Sequence, residues 1–169
     1  MIALLRKIAG FCFCTLSFLI CSCSQDSGSV QTDATDESSS RSIAYQSEPG
    51  PSDEDAPSEF TETESGLKYR ILRKSKGVPP NERSTVFVHY RGWLDDGTEF
   101  DSSYVEGNPI DFRVGNVVDG WAEGLQLIGK GGMIELEIPP ELGYGAEGSP
   151  GAVPPNAQLH FIVEVIEVF

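Results

Sequence analysis

The chain has 169 residues, which allows one domain of ordinary size with an appendage, or two very small domains. Twelve Lys and Arg stand against 26 Asp and Glu, a formal net charge of −14, and this excludes a phosphate backbone as the expected partner because nucleic-acid binding needs a cationic surface. Hydrophobic residues at 39% suffice for a packed core, while 18 Gly and 11 Pro argue for many turns and against an all-helical bundle.

Residues 1–23 hold two basic residues, Arg6 and Lys7, no acidic ones and all four cysteines. The apolar run from Ile8 to Ile20 is too short for a comfortable membrane span and suits the core of a secretory signal. It ends in Ile20-Cys21-Ser22-Cys23, which resembles the bacterial lipoprotein signal, whose cysteine becomes the acylated N-terminus. Cys23 fits that position; Cys21 fits less well, because Ile20 is bulky just before the cut. The alternatives are a plain signal peptide cut near Ser22 to Ser24, or an uncleaved anchor. Cys12, Cys14, Cys21 and Cys23 form two C-x-C pairs, but no His lies nearby and no second ligand pair follows, so zinc is not expected. The expected boundaries are a signal at 1–22, a tether at 23–65 and a folded domain at 66–169.

Residues 24–65 carry eleven acidic side chains and one basic, Arg41, with Ser, Thr, Pro49, Pro51 and Pro57 among them. No helical or strand periodicity is present. Such a stretch buries too little apolar area to offset its ordering entropy, so a disordered, self-repelling acidic spacer is expected.

From residue 66 onward the acidity is moderate, fifteen acidic against nine basic side chains. Alternation places Leu67, Tyr69 and Ile71 on one face of a strand and Lys68 and Arg70 on the other. Thr85 to Tyr90 alternates likewise, with Val86, Val88 and Tyr90 opposite Phe87, His89 and Arg91. Asp95-Asp96-Gly97 signals a turn into Glu99-Phe100. Trp121, Leu125 and Ile128 have helical spacing, with Asp119 placed to cap the start and Gly129 to Gly132 to stop it. Met133 to Ile138 and the run Leu159 to Val165 alternate as strands. So short a helix must pack on a sheet, which predicts an α+β fold of antiparallel strands curled over one helix.

Little conventional catalytic equipment is present. Gly129-Lys130-Gly131-Gly132 is too short to cradle phosphates, and no dinucleotide-binding spacing occurs. His89 and His160, the only histidines, read as solvated strand residues, which disfavours a histidine triad or metal site. Asp95 and Asp96 lie in a turn, where acids are expected anyway. What remains is a set of aromatics: Tyr90, Phe100 before Asp101, Trp121 and Tyr144.

Four segments in order then resemble one family. They are Val88-His89-Tyr90-Arg91-Gly92 with Asp96-Gly97-Thr98-Glu99-Phe100-Asp101-Ser102-Ser103; Val117-Val118-Asp119-Gly120-Trp121-Ala122-Glu123-Gly124-Leu125; Ile138-Pro139-Pro140-Glu141-Leu142-Gly143-Tyr144-Gly145; and Val153-Pro154-Pro155 with Leu159-His160-Phe161-Ile162-Val163-Glu164-Val165. Over about 66–169 the chain is similar to the FKBP-type peptidyl-prolyl cis-trans isomerases, or immunophilins.

The resemblance implies an antiparallel half-barrel of five to six strands wrapped around one short helix, with an apolar pocket between them. It implies that Trp121 is the pocket floor, Tyr90, Phe100 and Phe161 its aromatic walls, and Ile110, Val117, Val118 and Val153 its aliphatic walls. Asp101 and the Tyr144 hydroxyl would be the polar groups near the reacting amide, so that Asp101, Tyr144, Trp121 and Phe100 serve catalysis and the others substrate binding. An Asp directly after Phe100 is also hard to explain as ordinary core. No cofactor or metal is implied. The implied partners are proline-containing polypeptides and rapamycin-like macrolides, with a membrane reached through lipid on Cys23. The place would be the exterior side of a bacterial membrane, facing the periplasm or cell exterior. A proline-peptide-binding or chaperone module with little catalysis is the alternative. Family members with dimerisation parts usually carry a helical N-terminal arm, so the aperiodic arm here predicts a monomer.

The sequence departs from the eukaryotic single-domain members at two positions. Glu106 stands where they carry an Arg that pairs with the pocket Asp, and Ser149 where they carry His. An acid beside Asp101 would raise its pKa. The segment from Gly115 to Trp121 is two residues shorter than in those members. Rate, sequence preference and macrolide affinity are the properties these changes touch.

Overall fold

The computed structural model describes residues 46–169, so the signal at 1–22, Cys23 and the tether up to residue 45 lie outside the described residues. Seven strands form one antiparallel sheet: β1 (Thr61–Glu62), β2 (Lys68–Arg73), β3 (Thr85–Leu94), β4 (Glu99–Ser102), β5 (Ile110–Arg113), β6 (Met133–Ile138) and β7 (Leu159–Val168). The spatial order is β1-β2-β6-β7-β3-β4, and β5 pairs with β3 beside β4. The helix α1 (Asp119–Leu125) enters between β5 and β6.

The period-2 pattern of each strand decides which face is covered. Val86, Val88 and Tyr90 of β3, Ile134, Leu136 and Ile138 of β6, and Leu159, Phe161, Val163 and Val165 of β7 all bury their side chains in one core. Trp121 and Leu125 of α1, with Ile128 just beyond it, complete that core. Burying a large apolar side chain contributes about 1.5–3 kcal/mol, so this face supplies the main driving force.

The helix lies unusually close to β6. A Cβ on Gly120 would sit 2.5 Å from Ile138 Cγ2, and one on Gly124 would sit 2.7 Å from Leu136 Cδ2. Two glycines four residues apart therefore form the flat face by which α1 touches the strand. Asp119 is the first helical residue and not the cap that its position suggested: Val118 is the N-cap, and no side chain caps the start. The Asp119 carboxylate instead lies in the first turn, where it complements the helix dipole. Ile128 follows α1 through tightened turns, Leu127 N–H to Gly124 at 3.1 Å and Ile128 N–H to Leu125 at 3.4 Å.

The strand count exceeds five to six for two reasons. One edge of β3 is shared by two short strands, β5 along Thr85–Val88 and β4 along Arg91–Trp93. The other addition, β1, comes from the stretch expected to be spacer. Thr61 and Glu62 pair with Tyr69 and Lys68, and the hairpin closes with Thr63 N–H to Leu67 O at 2.9 Å.

Residues 46–65, expected to be disordered spacer, instead pack on the domain. Asp53 N–H donates to Leu72 O at 2.8 Å, and Asp53 Oδ2 accepts from Lys74 N–H at 2.8 Å. Arg70 lies over the Phe60 ring at 4.9 Å and donates to Ser58 O at 3.0 Å. Asp55 pairs with Lys74. Of the acidic residues in this stretch, Asp55 and Asp53 are both held by Lys74, just after β2, one by its ammonium and the other by its backbone N–H.

We expect Gly124→Ala to destabilise the fold by about 1–3 kcal/mol, because overpacking against Leu136 outweighs the roughly 1 kcal/mol gained in helix propensity. A urea midpoint checks this; an unchanged midpoint would show that Leu136 moves aside freely.

Candidate functional site

The site sits where α1 faces the core side of β3, β5 and β7. The Trp121 ring is 1% exposed and meets three other rings edge-on: Tyr90 at 5.3 Å, Phe112 at 5.5 Å and Phe161 at 5.3 Å. Phe100 stands edge-on to Phe161 at 5.4 Å, extending the aromatic wall from β4. Such perpendicular contacts set ring edges against ring faces, which is electrostatically favourable and holds each ring at a defined angle. Gly92 makes the corner possible. A Cβ there would lie 2.6 Å from the Phe161 ring and 2.8 Å from the Phe100 ring.

Aliphatic groups close the rest. Ile110, Val117 and Val118 pack partly buried against the same core, and Val153 is fully part of it. Val118, at the helix N-cap, accepts at its carbonyl from Trp121 N–H at 2.9 Å and Ala122 N–H at 3.0 Å. Val153 is fixed by a two-way backbone exchange with Ser149, both bonds 2.8 Å. Tyr90, Phe100, Trp121 and Phe161 thus form one ring cluster, with Ile110, Val117, Val118 and Val153 packed against the same core. Cys23, the expected lipidation site, lies outside the described residues.

Four polar groups interrupt this apolar surface: the Tyr90 and Tyr144 hydroxyls, the Asp101 carboxylate and Trp121 Nε1. The Tyr90 hydroxyl donates to Asp101 Oδ2 at 2.5 Å. Burial raises the Asp101 pKa, opposed by the Tyr90 hydrogen bond and reinforced by Glu106 and Glu99. Arg91 pairs with Glu99 at 2.7 Å, whereas among the described residues no Lys or Arg pairs with Asp101 or Glu106. Burial, together with the Asp101 charge, pushes the Tyr144 hydroxyl up to about 12, so it stays protonated and able to donate. Both the Tyr144 hydroxyl and Trp121 Nε1 are buried without a hydrogen-bond partner. A buried polar group left unpaired costs about 1–3 kcal/mol, and two of them at one aromatic site mark a place that a ligand's acceptors can complete.

Phe112 went unnoticed in the sequence. It follows Ile110 by two residues on β5, so the alternation of Ile110 and Phe112 was the available signal. His89 is also not solvated, whereas His160 stays partly exposed. His89 is 1% exposed and its Nδ1 meets Ser103 Oγ at 3.0 Å, while His160 Nε2 meets Asp95 Oδ1 at 2.7 Å and stacks on Trp93. Ser103 and Tyr104, on the loop after β4, cover the face of β3 that was read as open.

With this geometry in place, comparison with known proteins gives a consistent answer. A family model described as FKBP-type peptidyl-prolyl cis-trans isomerase matches residues 76–166, and the chain belongs to that family. It is similar to the FKBP-type peptidyl-prolyl cis-trans isomerase FkpA of Escherichia coli strain K12, 52% identical over 103 residues covering 61% of this chain and 38% of the relative. A crystal structure of FkpA from Escherichia coli superposes with a TM-score of 0.64 at 46% identity, over 66% of this chain and 52% of that one. AtFKBP13 superposes with a TM-score of 0.59 at 37% identity, over 64% of this chain and 97% of that one. The chain spans about two fifths of the length of the curated relatives it matches.

Two outcomes test the polar groups. Because the Tyr144 hydroxyl has no partner to lose, Tyr144→Phe should leave the melting temperature unchanged or slightly raised while lowering activity on an X–Pro peptide by roughly tenfold. The raised Asp101 pKa means that activity depending on its ionised form fades at a higher pH than for a free carboxyl. Glu106→Gln removes one like charge, and the acid limb of the pH–rate profile should then move to lower pH.

Proposed function

We propose that the chain accelerates cis–trans isomerisation about X–Pro bonds of polypeptide clients. The single observation that carries this reading is the buried Trp121 ring, framed by Tyr90, Phe112 and Phe161 and accompanied by an unpartnered Tyr144 hydroxyl. Phe100, Ile110, Val117, Val118 and Val153 add the remaining walls of a cleft suited to a proline ring.

Rotation about the X–Pro bond is opposed by amide resonance, a barrier of about 18–20 kcal/mol. At the planar ground state the nitrogen lone pair is delocalised and charge is separated between nitrogen and oxygen. Twisting localises the lone pair and reduces that separation. An apolar surface is therefore a better environment for the twisted amide than for the planar one, and this difference lowers the barrier. Fixed donors add to it without reorganising: the Tyr144 hydroxyl can meet a substrate carbonyl, and the Asp101 carboxylate, held by Tyr90, sets the field at the rotating bond. Removing about 4 kcal/mol of barrier in this way accelerates rotation roughly a thousandfold. None of these steps makes or breaks a covalent bond.

We further propose that the protein works outside the cytoplasm, fastened to a bacterial membrane by lipid on Cys23, with residues beyond the signal up to about 45 as its tether. The signal-like run Ile8 to Ile20 and the Ile20-Cys21-Ser22-Cys23 ending support this. Uncatalysed proline isomerisation takes tens of seconds or longer and can limit folding of exported chains, which gives such an enzyme a task. The arm at 46–65 contains no helix through which two copies could pair, which supports a monomer. The same apolar walls support binding of rapamycin-like macrolides.

The direct test is a protease-coupled assay of an X–Pro peptide with the full chain, since residues 46–65 belong to the fold. We expect acceleration well above the spontaneous rate; the spontaneous rate alone would reject the enzyme. Mass spectrometry of the N-terminus should show a diacylglyceryl mass on Cys23, and an unmodified Cys23 would reject the anchor.

A further inference from the structure

Behind the site, on the sheet face away from Trp121, lies a second polar arrangement centred on Glu164 of β7. This carboxylate belongs to a residue only 6% exposed, yet it lies on the face opposite the pocket residue Phe161 and the core residue Val163. One oxygen accepts from Arg73 Nη2 at 2.5 Å. The other accepts from Gln46 Nε2 at 2.9 Å, Gly50 N–H at 3.3 Å and the Tyr104 hydroxyl at 3.4 Å. Burial alone would raise its pKa, but the Arg73, Gln46 and Gly50 contacts prevail and hold it below the usual glutamate value. A buried carboxylate is tolerated only with partners of this quality.

The partners lead in two directions. Gln46 and Gly50 belong to the N-terminal arm, and Gln46 N–H also donates to Gly107 O at 3.3 Å, fastening the arm to the loop at 103–107. Tyr104 belongs to that loop and stacks on His89 with ring centroids 4.8 Å apart. His89 Nδ1 meets Ser103 Oγ, and Ser103 Oγ in turn accepts from Tyr90 N–H at 2.9 Å and donates to Tyr90 O at 3.3 Å. With the hydroxyl proton given to that carbonyl, His89 is the donor, and burial keeps the imidazole neutral by lowering its pKa. The path ends at Tyr90, whose hydroxyl holds Asp101. Ser103 is also two residues from Asp101, on the loop that leaves β4.

We propose that Glu164 is a positioning residue for the isomerisation, acting through the sheet by locking the N-terminal arm and the 103–107 loop into the frame that holds Tyr90 and Asp101. This inference rests on the isomerase reading above. A displacement of about 1 Å in such a frame is enough to cost up to a hundredfold in rate, so a distant clamp has a measurable effect. The aromatic cleft binds the proline ring without help from Glu164, and the frame acts on the rotating amide. The effect therefore belongs in kcat and leaves KM nearly untouched.

The test uses the full chain and an X–Pro peptide, well below the melting temperature, with Glu164→Gln and Tyr104→Phe made singly and in an Asp101→Asn background. We expect each single variant to lose roughly three- to tenfold in kcat with KM within about twofold. In the Asp101→Asn background, Glu164→Gln should add less than about a twofold loss, because its route to the amide is already cut. Wild-type kcat in both folded single variants overturns the proposal, as does an undiminished loss in the Asp101→Asn background. If Glu164→Gln fails to fold, Tyr104→Phe, which removes one hydroxyl, decides by the same two criteria. A wild-type chain without any acceleration rejects the parent reading and this one with it, whereas an active wild type with unaffected variants rejects this one alone.

Discussion

The close approach of α1 to β6 is the constraint on which the remaining geometry depends. Gly120 and Gly124 remove the side chains that would hold the helix off Ile138 and Leu136. Between them, Trp121 is carried into the sheet far enough for its ring to meet Tyr90, Phe112 and Phe161 at once. A helix of seven residues has no independent stability, so its position is set wholly by this packing. The candidate site is in this sense a by-product of core formation, with the residues that carry stability being the ones proposed for recognition.

The two faces of β3 divide the work. The face with Val86, Val88 and Tyr90 builds the apolar core that carries the aromatic cluster, and its few polar groups are either held, as Asp101 is by Tyr90, or left unpaired, as the Tyr144 hydroxyl is. The opposite face, with His89, is hydrogen-bonded, and Tyr104, Ser103 and Glu164 close over it. An unpaired group on the pocket side and a hydrogen-bonded network behind it fit one surface meant to receive a ligand and another meant to stay rigid. The arm at 46–65 completes the rigid side, so residues with spacer-like composition contribute to the architecture of the domain.

Much of this was legible in the sequence, and the failures share a cause. Strict alternation marked β2, β3, β6 and β7, because each has one face in the core and a period of two survives in the side chains. Trp121 and Leu125 announced the helix by spacing, and the ordered segments from Val88 to Val165 announced the family. What was missed depends on partners distant in the chain. Gln46 and Gly50 are ordered by Glu164, more than a hundred residues away, and nothing local in a Ser-, Pro- and acid-rich stretch signals that. His89 looked solvated because β3 alone cannot show that Tyr104 will stack on it. Strands β1 and β5 have only two and four residues, so β5 offered no more than the single alternating pair Ile110 and Phe112, too faint to single Phe112 out.

The central claim is that the aromatic cleft both holds a proline and eases rotation of the amide before it. Exchange NMR on a labelled X–Pro peptide with the full chain tests both halves in one sample. The account predicts that the Trp121 indole N–H resonance shifts on addition of peptide while cis–trans exchange cross-peaks emerge far faster than spontaneous isomerisation allows. A shifted Trp121 resonance with exchange still at the spontaneous rate would contradict it and leave a proline-binding module.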